Sequence, residues 1–170
     1  MDRQTMKSLA EINAMMPAQF IEAFGDVAEH SPWVAREAAA FRPFTSRELL
    51  IEAFAWALRS ANTDAQLALI RAHPDLATKA RLTEDSSKEQ EGAGLGTLTV
   101  EEYARFTALN NAYKSKFGFP FIVAVKGATK RMILDAFETR VTNDPDHEFA
   151  TAVEQVCRIF RFRIEDRVAP

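Results

Sequence analysis

Apolar residues recur along this chain three or four positions apart, the spacing of one helix face, in segment after segment. Phe20, Ile21, Phe24 and Val27 form such a stripe in "PAQFIEAFGDVAEH", where Pro17 suits a first turn that has no use for its missing N–H. Ser8 and Glu11 have capping-box spacing ahead of "LAEINAM". Pro32 opens "PWVAREAAAF", and Pro43 separates it from a segment carrying Leu49, Leu50, Phe54 and Trp56, for which Thr45 and Glu48 give the capping-box spacing. "TDAQLALIRAH" follows and stops at Pro74, because the residue before a proline is pushed out of the α region. "DLATKARL" reads as a further short helix, and "SSKEQEGAGL" as one or two turns ended by glycines.

Beyond this point Thr99 and Glu102 cap "TVEEYARFTALNNAYKSKFG", a long amphipathic helix closed by Gly118. The run "FPFIVAVKG" has the β-branched content of a strand, but no other segment offers it a sheet partner, so it is expected as buried extended backbone. "TKRMILDAFETRV" and "DPDHEFATAVEQVCRIFRFRIEDRVA" return to helical spacing. The pattern predicts an all-α bundle of about eight or nine helices with a buried extended segment. Neither repeats nor linkers interrupt it, so residues 1–170 are expected to form a single domain.

Composition narrows the class of partner. At 170 residues, 47% hydrophobic and 26% charged, the chain is long enough to bury a core without disulfides, and its lone Cys157 allows none within the chain. A net charge of −3 gives no basis for binding a polyanion, so nucleic acid is not expected as a partner. No apolar run approaches a membrane span, and neither a signal peptide nor a peroxisomal tripeptide is visible. A cytoplasmic protein with no membrane association is expected.

Among the three histidines, His30 follows an acidic helix end and reads as a C-terminal cap, and His147 sits among carboxylates in a first turn, where it reads as solvated. His73 lies at the proline-stopped helix end, a position that serves either a cap or a residue facing a cleft. Ser86 and Glu89 again have capping-box spacing; a helix starting at Ser86 would equally present Ser86, Glu89 and Gln90 on one side, beside free N–H groups suited to an anionic ligand. Arg158 and Arg161 read as a solvated basic ridge. Arg163, between Phe162 and Ile164, reads as partly buried, which suits either an ion pair with a helix carboxylate or an anionic ligand. No metal-ligand spacing occurs, and Cys157 falls on an apolar face as a small core residue.

Together, "FGDVAEHSPW", "RAHPDLA", "LTEDSSKEQEGAGL", "LNNAYKSKFGFPFIVAVKG" and "EQVCRIFRFRIEDRV" resemble, in order and over essentially the whole chain, the family of 2-oxo-4-hydroxy-4-carboxy-5-ureidoimidazoline (OHCU) decarboxylases of urate catabolism. The resemblance implies a helical, cofactor-free enzyme that converts OHCU to (S)-allantoin and commonly forms homodimers. It implies His73 and Glu89 as catalytic residues. It implies substrate contacts from Pro74, Ser86, Gln90, the backbone of Phe121, Ile122 and Val123, and Arg163, with Arg161 a close rival for the last role. A helical interaction module, and a cofactor-free enzyme for another ureido compound, are the competing readings.

Overall fold

A helix can start cheaply only where something accepts hydrogen bonds from its first N–H groups. In the computed structural model, which describes residues 6–77 and 84–170, side-chain oxygens fill that role repeatedly. Ser8, Asn62, Thr99 and Thr129 each accept from the N–H three residues on, at the starts of α1 (Leu9–Ala14), α5 (Thr63–Arg71), α7 (Val100–Phe117) and α8 (Lys130–Arg140). Pro17 is the first residue of α2 (Pro17–Phe24), and Pro32 is the N-cap of α3 (Trp33–Ala39). With α4 (Arg47–Arg59), α6 (Glu84–Gly92) and α9 (Pro145–Arg167), these make nine helices among the described residues, and the all-α expectation holds. The sole β feature there is an isolated parallel bridge between Lys7 and Val168.

Local spacing misassigned two details. The N-cap of α4 is Ser46, not Thr45: its extended backbone lets Oγ accept from Leu49 N–H, while Glu48 turns away to Arg161. The basic ridge is therefore not simply solvated, since Arg161 grips Glu48 with both terminal nitrogens, and that hydrogen-bonded pairing holds the Glu48 carboxyl below its ordinary value. The short helix expected over "DLATKARL" falls partly outside the described residues; its start, at Leu76 and Ala77, is a turn.

The chain packs as two compact units. The first comprises Met1–Ala72 and Cys157–Pro170, so it holds α1 to α5 and the last part of α9. Its core is aromatic: Phe20 lies 5.0 Å from Phe24 and 6.4 Å from Phe54, and Phe54 meets Phe160 edge-on at 6.0 Å. Asn13 exchanges both of its amide groups with the backbone of Phe44, which fixes the entry to α4. Trp33 on α3 is half-buried, and Trp56 on α4 is exposed against Phe41.

Arg163 is buried in this unit. Its Nη1 donates to Val27 C=O at 3.1 Å and its Nη2 to Glu29 Oε1 at 2.8 Å. The partner carboxylate comes from a turn rather than from a helix, and it is as buried as the guanidinium.

The second unit, His73–Val156, contains α6, α7, α8 and the first part of α9. Glu148, fully buried, receives Tyr113 Oη at 2.5 Å, Asn143 Nδ2 at 2.9 Å and Arg140 Nε at 3.1 Å. Burial pushes the Glu148 carboxyl up, but the three donors and the Arg140 charge outweigh it and hold the group below its ordinary value. The same burial, with the neighbouring carboxylate, drives the Tyr113 hydroxyl far above its ordinary value, so it remains a donor.

Two predictions follow from these ion pairs. Arg163→Ala strands a buried carboxylate and should cost about 3–5 kcal/mol in urea unfolding, whereas Arg161→Ala, at the surface, should cost no more than about 1 kcal/mol; equal costs would refute the distinction. The contribution of Glu148 is complete above its ordinary value of 4.5 and drains away as pH falls through the depressed folded-state value. Unfolding curves should therefore show stability falling with acidification below 4.5, with a shallower slope in Glu148→Gln.

Candidate active site

Pro74 ends α5, and His73 follows its C-cap, Ala72, directly. His73 is buried, 8% exposed, at the head of a short turn that includes Ala77 at φ 56°, in the left-handed region that a side chain disfavours. The peptide joining Leu76 to Ala77 is gripped at both ends. Its carbonyl accepts from Asn110 Nδ2 of α7 at 2.9 Å, and its N–H donates to Gln90 Oε1 of α6 at 3.1 Å. One helical turn beyond Asn110, Lys114 Nζ meets Asp75 Oδ2 at 3.1 Å.

Helix α6 begins at Glu84, so Ser86 is its third residue and not its N-cap. The capping-box reading of Ser86 and Glu89 therefore fails, and so does the expectation that Ser86 opens the helix beside a ligand. What survives is the shared face: positions i, i+3 and i+4 place Ser86, Glu89 and Gln90 on one side of α6. Ser86 and Gln90 are buried, and Glu89 is half-buried. Because Gln90 Oε1 is committed to Ala77, its Nε2 faces away as a donor, and no described residue accepts from it.

Residues 119–125 run as irregular chain between α7 and α8, with Phe121 and Ile122 buried and Val123 half-buried, in line with the expected buried, sheet-free segment. Phe121 stacks on Phe137 at 3.9 Å and meets the Tyr113 ring edge-on at 5.4 Å. Arg140 lies over the Phe121 ring at 4.4 Å and donates to Ile122 C=O at 2.6 Å, while Gln155 Oε1 accepts from Ala124 N–H at 2.9 Å. The N–H groups of Phe121, Ile122 and Val123 donate to no described residue. A short row of main-chain donors is thus held by side chains instead of by a sheet.

Asn110, Tyr113, Arg140 and Gln155, which position these parts, were not singled out from the sequence. The signal for Asn110 was present: it lies on the buried stripe of α7 with Phe106 and Tyr113, and a buried amide there demands partners. Of the other predicted residues, Pro74 is half-buried beside His73, and Arg163 is occupied in the first unit as described. His30 and His147 are exposed, and Cys157 is buried. Among the described residues no cluster of His, Cys, Asp or Glu could hold a metal ion, and no helix is long and apolar enough to cross a membrane.

A buried histidine, an amide donor, a hydroxyl and a carboxylate on one helix face, and a row of backbone N–H groups all belong to one compact unit. Such a set can orient a small, hydrogen-bond-rich molecule and move protons on it. Comparison with known proteins bears on which molecule. The family described as OHCU decarboxylase matches residues 13–165. The chain is 40% identical to the 2-oxo-4-hydroxy-4-carboxy-5-ureidoimidazoline decarboxylase of Haloferax volcanii, over 94% of this chain and 95% of that protein. It is 39% identical to the protein of the same name from Halalkalicoccus jeotgali, over 98% and 94%. A crystal structure of (S)-allantoin synthase superposes with a TM-score of 0.77 at 31% identity, covering 95% of this chain and 54% of the longer one. Coverage and identity together decide the point: this chain belongs to the OHCU decarboxylase family.

Proposed function

We propose that this protein decarboxylates OHCU to (S)-allantoin, the last step from urate to allantoin, acting as a carboxy-lyase. The observation that carries the reading is the clamped turn bearing buried His73, tied through Gln90 to the face of α6 that also presents Ser86 and Glu89. The likeness to the decarboxylases of Haloferax volcanii and Halalkalicoccus jeotgali, over 94% and 98% of this chain, supports it.

The chemistry makes modest demands. When the C–CO₂ bond of OHCU breaks, its electron pair enters the ring as a new C=C bond to the adjacent ring carbon, and the C=N bond there passes its own pair to nitrogen, which takes up a proton from solvent. The substrate is thus its own electron sink, and the reaction is read as cofactor-free. What remains is proton traffic. The hydroxyl at the reacting carbon loses its proton as it becomes the ring carbonyl, and the adjacent carbon gains one from a single face, which sets the S configuration.

His73 is assigned both transfers, and Glu89 is assigned to set its orientation and charge. Pro74 lines the substrate beside it. The Ser86 hydroxyl and the Gln90 Nε2 donor engage substrate oxygens, and the N–H groups of Phe121, Ile122 and Val123 suit the ureido and ring carbonyls. The family match spans both compact units, which supports treating 1–170 as one domain. A cytoplasmic homodimer completes the reading.

The test generates OHCU in situ from urate with urate oxidase and hydroxyisourate hydrolase, then follows its decay and the circular dichroism of the allantoin. Faster decay to optically active product is expected, and His73→Asn should slow turnover at least about 100-fold while the far-ultraviolet spectrum is unchanged. Spontaneous decay to racemic allantoin in the presence of folded protein would instead point to the interaction-module reading.

A further inference from the structure

We infer that Asn110 is a positioning residue for the reaction, acting on His73 through the peptide that joins Leu76 to Ala77. The inference rests on the decarboxylase reading above and deepens it. Three observations converge on this one peptide group. Asn110 and Gln90 hold its opposite ends, so it can neither rotate nor tilt without breaking a hydrogen bond on one side. Ala77, immediately after it, sits at φ 56°, a conformation an alanine leaves unless its surroundings hold it there. And the peptide lies only three residues past His73, in a turn whose Asp75 is fixed to the same helix by Lys114.

The orphaned half of the amide separates this role from simple packing. Asn110 Nδ2 donates to Leu76 C=O, which fixes the amide orientation, and Oδ1 is then buried with no hydrogen-bond partner among the described residues. A buried acceptor without a partner works against stability. Asn110 thus commits only its donor within the described residues, and that donor goes to the strained turn. Without that donor, the turn should relax by flipping the 76–77 peptide and taking Ala77 to negative φ. That shift would carry His73 away from its working position. Displacement on the ångström scale is enough to reduce a positioned proton transfer by about two orders of magnitude.

The test compares wild type, Asn110→Leu and the double variant Asn110→Leu/Ala77→Gly in the full chain. Each is assayed for kcat and KM with OHCU generated in situ, and for amide hydrogen exchange over residues 73–77. Leucine keeps the branched heavy-atom shape of Asn110 but has no donor. The expected result is a fall in kcat of about 10- to 100-fold with KM changed by less than about 3-fold, and faster exchange across the turn. Glycine accepts positive φ without strain, so the double variant should recover about 5-fold or more of the lost kcat. Unchanged kcat in Asn110→Leu would overturn the inference. So would a loss borne mainly by KM that glycine does not relieve, which would place Asn110 on the substrate itself. If the wild type does not accelerate OHCU decay, it is the decarboxylase reading that fails; exchange then decides the clamp, with faster exchange in Asn110→Leu upholding it and unchanged exchange overturning it.

Discussion

A carboxylate stripped of water must find in the protein the hydrogen bonds that water would have given it, and Glu148 finds them on three elements. Tyr113 comes from α7, Arg140 from α8 and Asn143 from the loop that leads into α9, so satisfying one buried charge fixes α7, α8 and the start of α9 against each other. Arg140 then uses a further nitrogen on the Ile122 carbonyl and its planar face on the Phe121 ring. The irregular segment between α7 and α8 inherits its path from this arrangement. Replacing the cluster with apolar side chains could leave the unit as stable, but would remove what tells residues 121–123 where to run.

Helix α7 carries the second constraint. Its buried stripe is not uniformly apolar: Phe106 and Tyr113 join the aromatic cluster, while Asn110 between them reaches the turn that bears His73. A single rigid element therefore sets both the histidine turn and the main-chain donors. Loops supported in this way can be irregular and still well placed, which is what a site built from turns and unpaired backbone requires.

The fold was largely legible because its helices announce themselves locally. Serine, threonine or asparagine oxygens start five of them, proline or glycine stops others, and outside the polar α6 the apolar residues recur with the helical period. Where two hydroxyls were adjacent, as at Thr45 and Ser46, spacing alone chose the wrong one, because a long-range pairing with Arg161 had claimed Glu48. Ser86 failed for a related reason: a capping pattern inside a polar helix looks the same as one at its start. The residues of the candidate site were visible as polar groups in odd places and through family resemblance. Their supports were not, since nothing near Asn110, Arg140 or Gln155 in sequence says which distant carbonyl or N–H each will serve.

The placement of the two tryptophans has an optical consequence. Trp33 and Trp56 both belong to the first unit, and Trp56 lies at the surface against Phe41. Intrinsic tryptophan emission therefore reports on that unit, and a loosening confined to His73–Val156 would leave the spectrum almost untouched while dismantling the candidate site. For this molecule a sharp fluorescence transition is a statement about the aromatic core around Phe20 and Phe54. Order in the turn and the donor row needs a probe that reads backbone amides.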